Sequence, residues 1–266
     1  MGTVVGVDVR DTVAVADVEP AAGRFFETLR EMDRRFSPFR ADSEVTALAD
    51  GRLLEPDASP DLRWILAVCD HLARTSDGAF DARRHRADGR VDPSGFVKGW
   101  AIDEAAVHLD EAGLRHYAIN AGGDVLVRGR PSGDEAWRVG IRHPDRPDRV
   151  ATVLAVTDLA VATSGLYERG EHIVDPRTAM APRELRSLTV VGPSLAWADA
   201  YATTAFVMGH AGIGWVAGHP GYGALAITTD GQVVRTPSVE ALVTQPADLT
   251  TPAGLEFSRT SQPATL

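Results

Sequence analysis

Apolar residues at Phe25, Phe26, Leu29, Met32 and Phe36 fall on one stripe at helical spacing, which predicts a helix from Ala21 to Phe36. A second helical pattern covers about Asp61 to Ala73, and a third follows Lys98 and runs to about Glu111. Elsewhere the period shortens to two. Val4 to Val9 and Val13 to Val15 predict a strand pair around a polar turn, and Tyr117 to Val127 one strand closing on a Gly-Gly pair. Trp137 to Arg142 and Ala151 to Val156 alternate like paired strands, and Leu188 to Val191 reads as a short buried one. The small residues from Ala196 to Gly209, with no proline among them, predict a further helix. Late in the chain, Ala224 to Thr228 and Gln232 to Thr236 flank Asp230-Gly231, a hairpin signal.

Strands and helices alternate here without a regular βαβ period, and no internal repeat is visible. That pattern predicts an α+β domain with mixed or antiparallel sheets and packed helices, not a doubly wound sheet. Nothing linker-like divides residues 1–237, which are expected to form a single domain. Residues 238–266 read as a C-terminal tail rich in Pro, Thr, Ser and Gln, its end disordered.

Composition narrows the function classes. A net charge of -10 and a pI near 5.2 disfavour long-range attraction to nucleic acid. An anionic ligand would have to be held by local dipoles, a metal and a few cations. The single cysteine, Cys69, lies in an amphipathic pattern with Trp64, Ile65, Leu66 and Leu72 and reads as a small core residue. Thiolate metal chemistry is excluded, and no apolar run reaches membrane-spanning length. A cytoplasmic location is expected, with a removed leader as the alternative.

The helix from Ala196 to Gly209 carries the sharpest chemistry. Asp199 and Thr203 are four residues apart and project from one face. They are either a dipole-favoured acid and a threonine bonded back to a carbonyl, or a pair of hard oxygen ligands for Mg2+. Gly122-Gly123 is either a plain turn or a place where backbone approaches a diphosphate, whose oxygens need unshielded N–H donors. Without a Gly-x-Gly-x-x-Gly pattern, a Rossmann dinucleotide site is unsupported. Lys98 stands at a predicted helix start, where the dipole disfavours a cation; it is either a solvated surface lysine or a cation set beside an anionic ligand. His172 is one of eight histidines and opens His-Ile-Val-Asp-Pro-Arg-Thr shortly after Thr163-Ser164-Gly165. Ser164 lies in no Gly-x-Ser-x-Gly elbow and no Walker loop is present, so acyl transfer of that type and P-loop hydrolysis are poor readings.

Taken in order, seven segments share one resemblance: Phe36 to Val45, Gly78 to Asp81, Asp92 to Asp103, Asn120 to Asp124, Ala162 to Gly165, His172 to Thr178, and the Ala198-Asp199-Ala200-x-Ala202-Thr203 helix. The series resembles the ApbE-type flavin transferases, the FAD:protein FMN transferases, from Met1-Gly2-Thr3 to about Thr236.

The resemblance implies an FAD pocket between the Lys98 region, the Gly-Gly loop and the Asp199 helix. It implies Mg2+ held by Asp199, Thr203 and the backbone carbonyl of Gly95, with Lys98 adding positive charge. His172 would take the acceptor proton, with direct flavin or phosphate contact as the competing role. Met1, Ser37, Pro38, Phe39, Asp81, Gly122, Gly123, Ser164 and Ile173 would contact the cofactor, with Phe80 packed behind Asp81. Relatives have Ser-Thr-Tyr or similar where this chain has Ser37-Pro38-Phe39, so an aromatic face is kept and two hydroxyls are lost. The implied partner is an acceptor protein bearing an Asp-Gly-Ala-Thr/Ser motif. This chain's own Asp77-Gly78-Ala79-Phe80 lacks the hydroxyl, so self-modification there is not expected. Two rivals share the site: a metal-dependent FAD hydrolase and a flavin-binding protein without turnover.

Overall fold

The computed structural model describes residues 3–84, 86, 88–166, 173–244 and 264–265. Its elements begin with β1 (Val4–Val9), α1 (Val15–Phe36), α2 (Glu44–Ala49), α3 (Pro60–Thr75), α4 (Ser94–Glu111), β2 (Tyr117–Ala121) and β3 (Asp124–Arg128). They continue with β4 (Trp137–His143), β5 (Arg146–Val156), β6 (Ala160–Gly165), β7 (Leu185–Gly192), α5 (Leu195–Met208) and α6 (His210–Ala217). The last are β8 (Gly223–Thr228), β9 (Val233–Arg235), α7 (Pro237–Glu240), β10 (Val243–Thr244) and β11 (Ala264–Thr265).

Eight strands form one antiparallel sheet in the order β11-β1-β2-β3-β6-β7-β8-β9, and β10-β5-β4 form a second sheet of three. The period-two alternation sorts the large sheet's two faces. Ile119, Leu126, Ala162, Leu188, Val190 and Ala226 join the core beneath α1, α3, α4 and α5. Their neighbours Ala118, Val125, Val127, Val161, Leu225 and Ile227 join Trp137, Val139, Ile141, Leu154 and Val156 in a second core. The result is three layers, helices on sheet on small sheet, an α+β architecture.

Sequence rules explain most boundaries. Ser59 caps α3 by accepting the Leu62 N–H at 3.2 Å, with Pro60 at the first helical position. Ser43 caps α2 likewise through Thr46, and Gly209 ends α5 at φ 66°. Three expectations change. Val13 to Val15 form no strand; α1 begins at Val15 and runs through Pro20, which forfeits only the bond back to Ala16 in the first turn. The span from Tyr117 to Val127 is two strands, because Gly122 (φ 64°) and Gly123 (φ 106°) turn the chain into a hairpin that pairs Ala121 with Asp124. Helix α4 starts at Ser94, so Lys98 lies a full turn inside it. In the tail, β10 pairs with β5 and β11 with β1.

Candidate active site

Helices α4 and α5 meet at backbone distance. A Cβ on Gly99 would stand 2.5 Å from the Leu195 carbonyl oxygen and 2.7 Å from the Ala196 Cα, so only glycine permits this crossing. One turn further along α4, the Asp103 carboxylate accepts the Ser194 hydroxyl at 2.7 Å and the Leu195 and Ala196 N–H groups at 3.1 and 2.9 Å. These donors belong to the open N-terminus of α5, which Asp103 caps from a neighbouring helix. The crossing sets Lys98, next to Gly99, beside Asp199, one turn into α5.

The Lys98 ammonium bonds the Asp124 carboxylate and lies 3.3 Å from Asp199 Oδ1. Burial alone would lower the lysine pKa, but the two carboxylates outweigh it and hold the group above the ordinary lysine range. Lys98 is therefore cationic, half-buried and committed to acids. It is no solvated surface lysine. Asp124 opens β3 directly after the Gly-Gly turn, and its Oδ1 accepts the Thr163 N–H at 3.1 Å.

Neither ordinary explanation of the Asp199–Thr203 pair fits its surroundings. Asp199 is the fifth residue of α5, past the first turn where the helix dipole acts. The threonine that bonds back to a carbonyl is Thr204, to Ala200 at 2.6 Å. Thr203 instead meets the hydroxyl of Ser164 on β6 at 3.1 Å. Asp199 is buried and, at i, i+4 spacing, shares a helix face with Thr203, whose hydroxyl meets that of Ser164 on the sheet. Among the described residues there is no group of three or more His, Cys, Asp or Glu that could hold a metal. A cation here would rest on one carboxylate plus neutral oxygens, a set that suits Mg2+ completed by water and phosphate.

The remaining expected site residues stand in separate local settings. Gly95 lies one turn before Lys98, and a Cβ there would come within 3.0 Å of the Phe80 ring. Asp77 and Gly78 turn with positive φ, which brings Gly78 against the Arg177 side chain, at 3.5 Å for a notional Cβ. The loop after Ile173 is held by Arg177 paired to Asp175 at 2.9 Å, and that pairing keeps Asp175 below the usual carboxylate range despite its burial. Asp81 accepts the Arg83 N–H at 2.8 Å within its own loop. Ser37 ends α1; its hydroxyl accepts the Phe39 N–H at 3.3 Å and its carbonyl the Ser43 hydroxyl at 2.7 Å. Pro38 is half-buried and the Phe39 ring is 82% exposed, an aromatic face presented to solvent. In the Gly122-Gly123 turn, the Gly123 N–H is held by Asn120 Oδ1 at 3.0 Å and the Gly122 N–H by the Val4 carbonyl at 3.1 Å. Ile173 is buried in the core. Met1 and His172 lie outside the described residues.

Two acids beside the candidate site escaped the sequence reading as individual roles. Asp124 and Asp103 stand in quoted segments, yet nothing local says that one holds Lys98 and the other caps a helix 91 residues away. An acid directly after Gly-Gly, at the start of a buried strand, was the available signal for Asp124.

Comparison with known proteins identifies the family and the fold. A profile of the ApbE family matches residues 1–84 and 82–226. The FAD:protein FMN transferase of Rhodobacter capsulatus is 38% identical over 161 residues, covering 57% of this chain and 31% of that protein. Its counterpart in Klebsiella pneumoniae is 29% identical over 198 residues, 68% of this chain and 57% of that protein. The chain thus spans from about a third to somewhat over half of the length of these curated relatives. The solved structure of flavin transferase ApbE from Vibrio cholerae superposes with a TM-score of 0.80 at 23% identity, over 91% of this chain and 96% of that one, and shares the fold.

Proposed function

The chain belongs to the ApbE family, and from that premise we propose that it transfers FMN from FAD to the hydroxyl of a threonine or serine on an acceptor protein, releasing AMP. The observation that carries the reading is the cluster of Lys98, Asp124, Asp199 and Thr203 beside the Gly122-Gly123 turn. With two carboxylates to one ammonium, this cluster would receive a diphosphate through a cation bound at Asp199 and Thr203.

In this reading the acceptor hydroxyl oxygen bonds to the phosphorus on the FMN side of the pyrophosphate. The bond from that phosphorus to the bridging oxygen breaks, AMP departs with the bridging oxygen, and the hydroxyl proton passes to His172. Asp199, Thr203 and the Gly95 carbonyl would hold Mg2+. When bound, the ion supplies neutralisation of diphosphate charge. Lys98 adds a cation fixed in place by Asp124, so little reorganisation is needed as charge builds on the leaving phosphate. The exposed Phe39 ring offers a face on which a flavin stacks. The Gly122 and Gly123 N–H groups are already bonded to the Val4 carbonyl and Asn120 Oδ1, so the turn is not read as a donor to the diphosphate.

The test is incubation of the chain with FAD, Mg2+ and a domain carrying Asp-Gly-Ala-Thr. Equal amounts of AMP and FMN-labelled domain are expected. FMN and AMP without label would replace transfer by hydrolysis, and no AMP at all would leave only binding.

A further inference from the structure

One ammonium faces two buried carboxylates in this site, and the two are not equivalent. Asp124 sits on the rigid side: it is the first residue of β3, paired with Ala121 across the hairpin and tied through Oδ1 to the Thr163 N–H. Its Oδ2 takes Lys98 in the closer of the lysine's two contacts. Asp199 meets Lys98 at 3.3 Å and lies on the helix face it shares with Thr203. Lys98 is the movable member, a charge on a flexible four-carbon stem.

We propose that Asp124 is a positioning residue: it draws the Lys98 ammonium toward the Gly122-Gly123 turn and so leaves negative charge on Asp199 for a divalent cation. The inference rests on the reading of Asp199 and Thr203 as cation ligands given above. A lysine paired with Asp199 alone would neutralise that carboxylate and compete with the ion for it. Held by Asp124, the same lysine lies near the metal position without cancelling it. Asp124 itself stays with Lys98 and Thr163, which engage both of its oxygens.

The charge can be removed while shape is kept. In Asp124→Asn the amide oxygen still accepts the Thr163 N–H, but the amide nitrogen turns a donor toward the ammonium, and Lys98 falls back on Asp199. Mn2+ titrated by calorimetry into metal-stripped full chain, without flavin, reads the consequence directly. Asp124→Asn is expected to weaken Mn2+ binding by roughly tenfold or more, because close charges interact strongly at partly buried sites. Adding Lys98→Met to that variant removes the displaced competitor and is expected to restore the wild-type affinity or better. Lys98→Met alone, which needs no change at Asp124, is expected to bind Mn2+ more tightly than wild type. A purely structural Asp124 would give weak binding in the single and double variants alike.

An unchanged affinity in Asp124→Asn, a double variant as weak as the single, or a Lys98→Met variant no tighter than wild type overturns the proposal. Wild type that binds Mn2+ no better than Asp199→Ala overturns the cation site itself. That failure is distinct, since it shows before any Asp124 variant is made.

Discussion

The carboxylate of Asp103 on α4 accepts the hydroxyl of Ser194 at 2.7 Å, from 91 residues away in the chain. Because the same carboxylate also takes the N–H groups of Leu195 and Ala196, one side chain fixes where α5 begins relative to α4. The relative placement of Lys98 and Asp199 depends on that start point. Asp103→Ala leaves three donors at a helix end without their acceptor, and a loss of about 1–3 kcal/mol is expected in urea denaturation. Asp103→Asn keeps part of the cap and should lose less. Equal stability of Asp103→Ala and wild type would show that α5 is anchored by other means.

A second expectation follows from the same crossing. Gly99→Ala gains about 1 kcal/mol of helix propensity, but its Cβ meets backbone atoms of Leu195 and Ala196 that cannot rotate away. Overpacking of this kind costs about 1–3 kcal/mol, so net destabilisation is expected. The variant should also bind Mn2+ more weakly, since pushing the helices apart displaces Asp199. A variant more stable than wild type would mean that the helices can slide without cost.

How far the sequence foretold this site depends on the range of each interaction. The stripes of α1 and α3, the Asp230-Gly231 hairpin and the Asp199–Thr203 spacing are local patterns, and they appear in the fold near where periodicity placed them. Val13 to Val15 misled because a short β-branched run reads as a strand. In the fold Asp11 instead accepts the N–H groups of Arg115 and His116, and the chain passes straight into α1. The Lys98–Asp124 and Asp103–Ser194 contacts join residues 26 and 91 positions apart, and no period in the chain encodes such pairings. Family resemblance named the segments that carry Lys98, Asp124 and Asp199, which the fold sets side by side. It did not say which acid holds the lysine.

Cys69 supplies a pH prediction. Burial pushes its thiol up from 9.0 to about 12. Below about pH 9 the thiol is neutral in folded and unfolded chains alike, and its contribution to stability is constant. Between 9.0 and about 12 the unfolded thiol ionises while the folded one does not, so stability is lost as pH rises. Relative to Cys69→Ala, wild type should therefore lose melting temperature progressively above pH 9. At pH 8 iodoacetamide should label Cys69 only after denaturant is added. Prompt labelling of the native protein would contradict the burial.

The two proposed side-chain ligands of the cation should differ in weight. Asp199→Ala removes the only carboxylate of the set and is expected to abolish metal-dependent turnover while some FAD binding survives. Thr203→Ala removes a neutral oxygen that water replaces, and a loss of several-fold in Mg2+ affinity is expected. Full activity of Asp199→Ala in stripped buffer with Mg2+ restored would rule out the assigned site.

His172 is tested last, by separating chemistry from binding. Imidazole titrates near neutral pH, so it suits removal of a hydroxyl proton as the new bond to phosphorus forms. If His172 has that role, His172→Ala should slow FMN labelling of an Asp-Gly-Ala-Thr domain by roughly a hundredfold or more, with FAD affinity nearly intact. A rate that rises with pH in wild type and no longer does so in His172→Ala is the expected signature of a general base. Changing the acceptor threonine to alanine should stop labelling outright in both proteins, because no nucleophile remains. A His172→Ala variant whose FAD affinity falls as far as its rate would assign the imidazole to flavin or phosphate contact. Unchanged rate and affinity would remove it from the site.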